Sequence, residues 1–256
     1  MNQVNMNKDN KEVGSFAASI LLSQNQWNKK KFINDLKTDW NIEVADSDKD
    51  DVLVATIDDM KLAVALMPAP VPDGEAEYYA SGNYMWEGAV DAAKSHEAHI
   101  LIAVLGKDED LLERGKLFTK AVSSCLKQEN AIAVYTNKTV FQPQFYIEVA
   151  SYMRQDEKEL PILDWIWFGI YRTDEYAGIY TYGMRKFGKE EIEVYADADL
   201  NDIRAFLVGI VSYILECDVT MQDGDTLGFS EEQKLGITLS DGIALEGKSL
   251  KIEYPQ

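Results

Sequence analysis

The segment Met67-Pro68-Ala69-Pro70-Val71-Pro72 alternates proline with apolar residues, which fixes an extended, hydrogen-bond-poor course at that point of the chain. No regular helix continues through such spacing, so the chain must turn there. This turn takes up three of the six prolines. A helical pattern follows over 84–95 and an apolar strand over 98–105; the only histidines are His96, just after the helix, and His99, in the strand. The stretch 67–106 is therefore the point around which the remaining elements are arranged.

Before it, 16–22 is a continuous apolar run bounded by Gly14 and a polar cluster, which suits a buried strand. Phe32, Ile33, Leu36 and Trp40 then recur at helical spacing over 27–40, with Asn25 as a candidate N-cap. Strands are predicted at 41–45, 52–57 and 61–67, the first two separated by the acidic run 46–51 and the last two by a turn at Asp58-Asp59. The order strand, helix, strands, helix, strand approaches the split βαβ pattern of ferredoxin-like folds, with one strand extra. A longer helix over 108–128, a strand at 131–135 and a helix over 142–154 complete this half, and the charged segment 155–159 is the candidate boundary.

The C-terminal part reads as strands at 165–171, 177–182 and 192–195, rich in aromatic and β-branched residues. Asp199 caps a strongly periodic helix, with Leu200, Ile203, Phe206, Leu207, Ile210, Val211, Ile214 and Leu215 on one face. Short strands at 226–229, 234–239 and 249–254 follow, with Asp-Gly turns at Asp223-Gly224 and Asp241-Gly242. The fold class is α+β: two tandem ferredoxin-like-related α/β halves, with mixed or antiparallel sheets and helices packed on one face. The expected organisation is a disordered N-terminus at 1–13, an N-terminal domain at 14–155 and a C-terminal domain at 160–256.

With 46% hydrophobic residues in 256, a sizeable core can be buried. The 44 acidic residues against 25 basic ones give a formal charge of −19, which disfavours nucleic acid and anionic membrane surfaces and makes a basic protein the natural partner. Two cysteines, each within a helical pattern, indicate no disulfide framework and a reducing compartment. The run 16–22 is too short to span a bilayer and lacks a secretory cleavage pattern, so the expected location is cytoplasmic.

Candidate chemistry centres on Glu87, His96 and His99. His96 and His99 form a His-x-x-His pair, a spacing that suffices for metal ligation on one helix. Here, however, the helix ends near Ser95 and the second ring falls in the strand. The alternative is structural, with His96 meeting free carbonyls at a helix C-terminus and His99 packed in the strand. Glu87 lies one turn from Asp91, outward on the helix. Pro68, Pro70 and Pro72 with Asn83 and Trp86 could rim a groove, or serve as a stiff strand-to-helix connection. Phosphate loops, nucleophile elbows and Cys-x-x-Cys pairs are absent from the sequence, so no catalytic residue, cofactor or metal is expected.

The Met-Pro-x-Pro-x-Pro turn, Asn83, Trp86, His96 and His99 resemble an uncharacterised bacterial domain-of-unknown-function family. So do Gly183-Met184, Phe187-Gly188, Glu191-x-Glu193-Val194 and Asp223-Gly224-x-Thr226-x-Gly228. The resemblance implies a cytoplasmic bacterial protein without an assigned reaction, and loosely the neighbourhood of toxin and immunity genes. The expected function is that of a non-enzymatic acidic interaction protein, an immunity-type inhibitor of a basic toxin. The alternatives are a small-molecule binder or enzyme using a groove at His96, His99 and Glu87, and a structural homo-oligomer.

Overall fold

The computed structural model describes residues 12–46, 51–106, 110–228 and 234–255. Most of the expected disordered terminus, most of the acidic run 46–51, positions 108 and 109 and Phe229 lie outside the described residues. The chain divides into two compact units, 1–164 and 165–256.

The first unit holds a six-stranded sheet. Its strands are β1 (Phe16–Leu22), β2 (Val52–Ile57), β3 (Met60–Met67), β4 (Ala98–Leu105), β5 (Ala131–Thr136) and β6 (Thr139–Phe141), in the order β2-β3-β4-β1-β5-β6. Every neighbouring pair is antiparallel. Helix α1 (Lys29–Trp40) follows β1. After β3 come α2 (Glu75–Ala80) and α3 (Ala89–Ser95); α4 (Leu111–Cys125) joins β4 to β5, and α5 (Pro143–Ser151) follows β6. The four strands β3-β4-β1-β5, with α1 and α4, reproduce the order and directions of a βαββαβ unit. The hairpin partner β2 and the short β6 are added at its two edges, and Asp58 and Asp59 both take positive φ in the β2–β3 turn.

Alternation in β1 and β4 sorts side chains to two faces. One carries Phe16, Ala18, Ile20, Ile100, Ile102 and Val104, all buried with Phe32 and Leu36 of α1 and Leu117, Phe118 and Val122 of α4. Phe16 and Phe118 meet at 5.9 Å between ring centroids. Among the described residues, helices cover the other face only at one end. There Leu21, Ala133 and Val140 pack with Val71 and with Ala76, Ala80, Ala89 and Ala93 of α2 and α3. Helices thus lie on both faces of this sheet rather than one, because the proline-spaced strip carries the chain across the ends of β4 and β1.

Three local expectations are corrected. Asn28, not Asn25, caps α1, its side chain accepting from the Lys31 N–H at 3.0 Å. Residues 41–45 form no strand: Asn41 closes α1 in the left-handed region at φ 55°, and the Ile42 N–H bonds back to the Leu36 carbonyl at 3.2 Å. The helix expected over 84–95 begins only at Ala89. Asn83 Oδ1 accepts from the Met85 and Trp86 N–H groups at 2.8 and 3.1 Å, holding the chain in a turn first.

The second unit carries β7 (Trp167–Arg172), β8 (Ala177–Tyr182), β9 (Ile192–Ala196), β10 (Thr226–Gly228), β11 (Lys234–Asp241) and β12 (Lys248–Glu253). Their order is β10-β11-β12-β9-β8-β7, antiparallel except for the central β12–β9 pair. A long helix, α6 (Leu200–Glu216), runs between β9 and β10. Asp199 caps it, and Ile203, Leu207, Ile210, Val211, Ile214 and Leu215 are buried as the periodicity requires. Phe206 and Leu200 are half-buried. Two three-stranded meanders flanking one helix make a mixed sheet whose connectivity differs from that of the first unit. The molecule is α+β throughout.

Candidate functional site

Prolines 68, 70 and 72 have no N–H, so the strip between them offers few groups for hydrogen bonding. The two histidines take what is left. His96 ends α3; its Nδ1 meets the Ala93 carbonyl and its Nε2 accepts from the Val71 N–H at 2.8 Å. Because Val71 can only donate there, Nε2 carries no proton and Nδ1–H donates to Ala93. His99 Nδ1 donates to the Ala69 carbonyl at 2.9 Å. Burial lowers the His99 pKa below its usual value; the Ala69 carbonyl opposes the shift and His96 adds to it. The rings are clamps on one length of backbone.

Glu87 is not brought to them. It stands exposed in the turn before α3, and among the described residues neither imidazole is paired with a carboxylate. No group of three or more His, Cys, Asp or Glu able to hold a metal occurs among the described residues. Pro68, Pro70 and Pro72 are exposed while Val71 points inward. Asn83 Nδ2 donates to the Val140 carbonyl at 2.7 Å, and Trp86 packs half-buried on the alanine cluster of α2 and α3. These side chains fasten the strip and the following turn to the sheet.

Two buried carboxylates of the second unit are likewise engaged in support. Glu191 accepts from Thr181 Oγ1 at 2.7 Å and from the Gly183 N–H at 2.8 Å, fixing the turn after β8. Burial nevertheless raises its pKa, those bonds opposing the shift. Glu193, two residues on, accepts from the Ala244 N–H at 2.8 Å and from Lys251 Nζ at 2.6 Å. There too burial pushes the carboxyl up, but Lys251 and the loop N–H groups prevail and hold it below the ordinary carboxylate range. Asp164 is fully buried, with both carboxyl oxygens lacking a hydrogen-bond partner, and desolvation raises its pKa well above the usual value. A cleft of about 870 Å³ opens beside the start of α1. Several of its polar groups are already committed: Gln128 to the Asn28 backbone, Asn130 to the Gln24 and Gln26 carbonyls, and Lys29 to Asp46.

Part of the first sheet's second face is left open by the helices among the described residues. Strand register places Val54, Ala63, Ala103 and Ala17 in one row across β2, β3, β4 and β1. Val52, Ala65, Leu101, Ser19 and Tyr135 form the next row, which reaches β5. Val54, Leu105 and Leu101 are 61%, 58% and 40% exposed, and no helix among the described residues covers them. Tyr79 of α2 stacks on Tyr135 at 6.0 Å, and Tyr78, 72% exposed, meets Tyr79 edge-on. Asp58 and Asp59 stand at one end of the β2–β3 hairpin and Asp51 at the other, while Glu75 and Glu77 occupy the first turn of α2. Lys61 and Lys138 are the basic neighbours, Lys138 lying over the Tyr79 ring at 5.9 Å. The result is an apolar floor of mostly small side chains with a tyrosine border and a mainly acidic rim. Sequence reasoning missed it.

Residues 180–253 match the family described as Domain of unknown function (DUF4261). No curated protein and no solved structure matches the chain. The matched segment runs from β8 to β12 and contains the C-terminal motifs that carry the resemblance, including Gly183, Glu191 and Glu193. The proline strip, Asn83, Trp86 and both histidines lie outside it. No helix among the described residues is long and apolar enough to cross a membrane.

Proposed function

We propose that this chain is a non-enzymatic interaction protein that binds a basic protein partner through the uncovered face of β2, β3, β4 and β1. The observation that carries the reading is that face itself: two in-register rows of uncharged side chains, half-buried or exposed, with Val54, Ala17 and Leu101 open to solvent, bordered by tyrosines and carboxylates. Contiguous exposed apolar surface of this kind marks binding sites, and tyrosine is among the residues that dominate interface energetics. A net charge of −19 steers a cationic partner and speeds encounter, more at low salt than at high. The engagement of both imidazoles with backbone groups weighs against the alternative in which His96, His99 and Glu87 form a catalytic or ligand site. An immunity-type inhibitor of a basic toxin is the form of this reading toward which the resemblance points.

Affinity capture of the tagged full chain from its native host, at low and high salt, tests it, with Ala103→Arg run alongside. A basic polypeptide retained at low salt, released at high salt and absent with the variant supports the reading. Recovery of nothing but further copies of the chain overturns it.

A further inference from the structure

The covered end of the open face shows what this sheet accepts. Two short helices lie there, pressing Ala76, Ala80, Ala89 and Ala93 toward Leu21, Ala133 and Val140. Small side chains at such a contact let a helix approach the strands closely. Beyond Leu21 the floor continues as Ser19, Ala17, Ala63, Ala65 and Ala103, bracketed by the taller Val52, Val54, Leu101 and Leu105. We propose that this continuation seats one amphipathic α-helix of the partner, with its apolar side chains on the alanine floor and Lys or Arg near its ends. The inference rests on the reading of the face as an interface and adds the form of the ligand.

Size and charge both select that occupant. Five residues along a strand span about 17 Å and four strands about 15 Å across, which about three turns of helix cover. The carboxylates of Asp58 and Asp59 at one end, and of Asp51, Glu75 and Glu77 on other bordering elements, are placed for cationic groups flanking an apolar stripe. A second copy would bring the same carboxylates against one another. An added strand would pair at the outer edge of β2, the terminal strand of the sheet, and would leave the alanine floor on β3, β4 and β1 uncovered.

The test titrates the full chain with a synthetic Leu/Lys peptide of about 18 residues whose leucines recur at helical period, and with an isomer of the same composition in scrambled order. The periodic peptide is expected to bind at least about tenfold more tightly than the isomer. Ala103→Arg and, at an already exposed position, Leu101→Lys should each remove that preference without lowering the melting temperature. Equal binding of the two peptides defeats the helix while leaving a basic partner in place. A periodic preference that survives both substitutions defeats the location. Failure of either peptide to bind counts against the helix and the basic partner alike, and a concentration-dependent doubling of mass abolished by Leu101→Lys would install a second copy instead.

Discussion

Replacing His96 with alanine removes a clamp whose contribution can be worked from its two hydrogen bonds. The Val71 N–H, donated to Nε2 at 2.8 Å in a buried setting, loses its partner with no neighbouring proline able to reorganise around it. A buried donor left unpaired costs about 1–3 kcal/mol. The Ala93 carbonyl at the end of α3 loses its donor as well, and the space vacated by the ring adds a packing loss of similar size. A total of about 4 kcal/mol is expected, a large part of the 5–15 kcal/mol that holds a typical domain together. It corresponds to a fall in melting temperature of roughly 10 °C for a unit of this size. Urea unfolding and thermal melts at neutral pH measure it. His96→Gln, whose amide oxygen reaches the place of Nε2, should recover part of the loss. A deficit below about 1 kcal/mol for alanine would refute the clamp, and so would a stoichiometric metal ion in purified protein that is lost on the same substitution.

Because burial lowers the His99 pKa in the folded state, the unfolded chain takes up that proton first. The contribution of His99 is full above about 6.5 and is lost as pH falls from there through the lowered folded value; urea melts across that range should show the decline, and His99→Asn should flatten it. Asp164 has the opposite sign. Its raised folded pKa makes its contribution full below about 3.9 and lost as pH rises through the folded value, so Asp164→Asn should remove a loss of stability on the alkaline side in the same assay. Gly183 has φ 128°, and a Cβ there would stand 2.4 Å from the Trp165 carbonyl oxygen. Gly183→Ala should therefore cost about 3 kcal/mol or more in urea unfolding, and a neutral result would show that the turn can shift.

Patterns that depend only on neighbours in sequence were legible. The apolar run 16–22, the Asp58-Asp59 hairpin and the Asp199-capped periodicity of α6 all appear as read. The failures arise where a local pattern is intercepted. Ile42 and Val44 alternate like a strand, but Asn41 and Ile42 are committed to closing α1. The helix reading over 84–88 yields to the Asn83 side chain, which claims two backbone N–H groups before a helix can use them. Helix α2 has six residues, too few for periodicity to register.

The site was hidden for a different reason. His-x-x-His spacing fits a pair of ligands and a pair of backbone clamps equally, and the deciding partner of His96 is an amide 25 positions away. Glu191, just before β9, and Glu193 within it are two residues apart and could be taken in sequence for an acid and base pair, yet each is bound to a different loop. The open face inverts that lesson. Ala63 and Ala65 alternate with Leu62 and Val64 along β3 as two apolar faces of one strand, and alanine suits a covered sheet and an uncovered one alike. Only the position of the helices decides between them. Since α2 and α3 stop at Leu21 and Val140, the alanines beyond them are left as a prepared surface, and no helix among the described residues is placed over them.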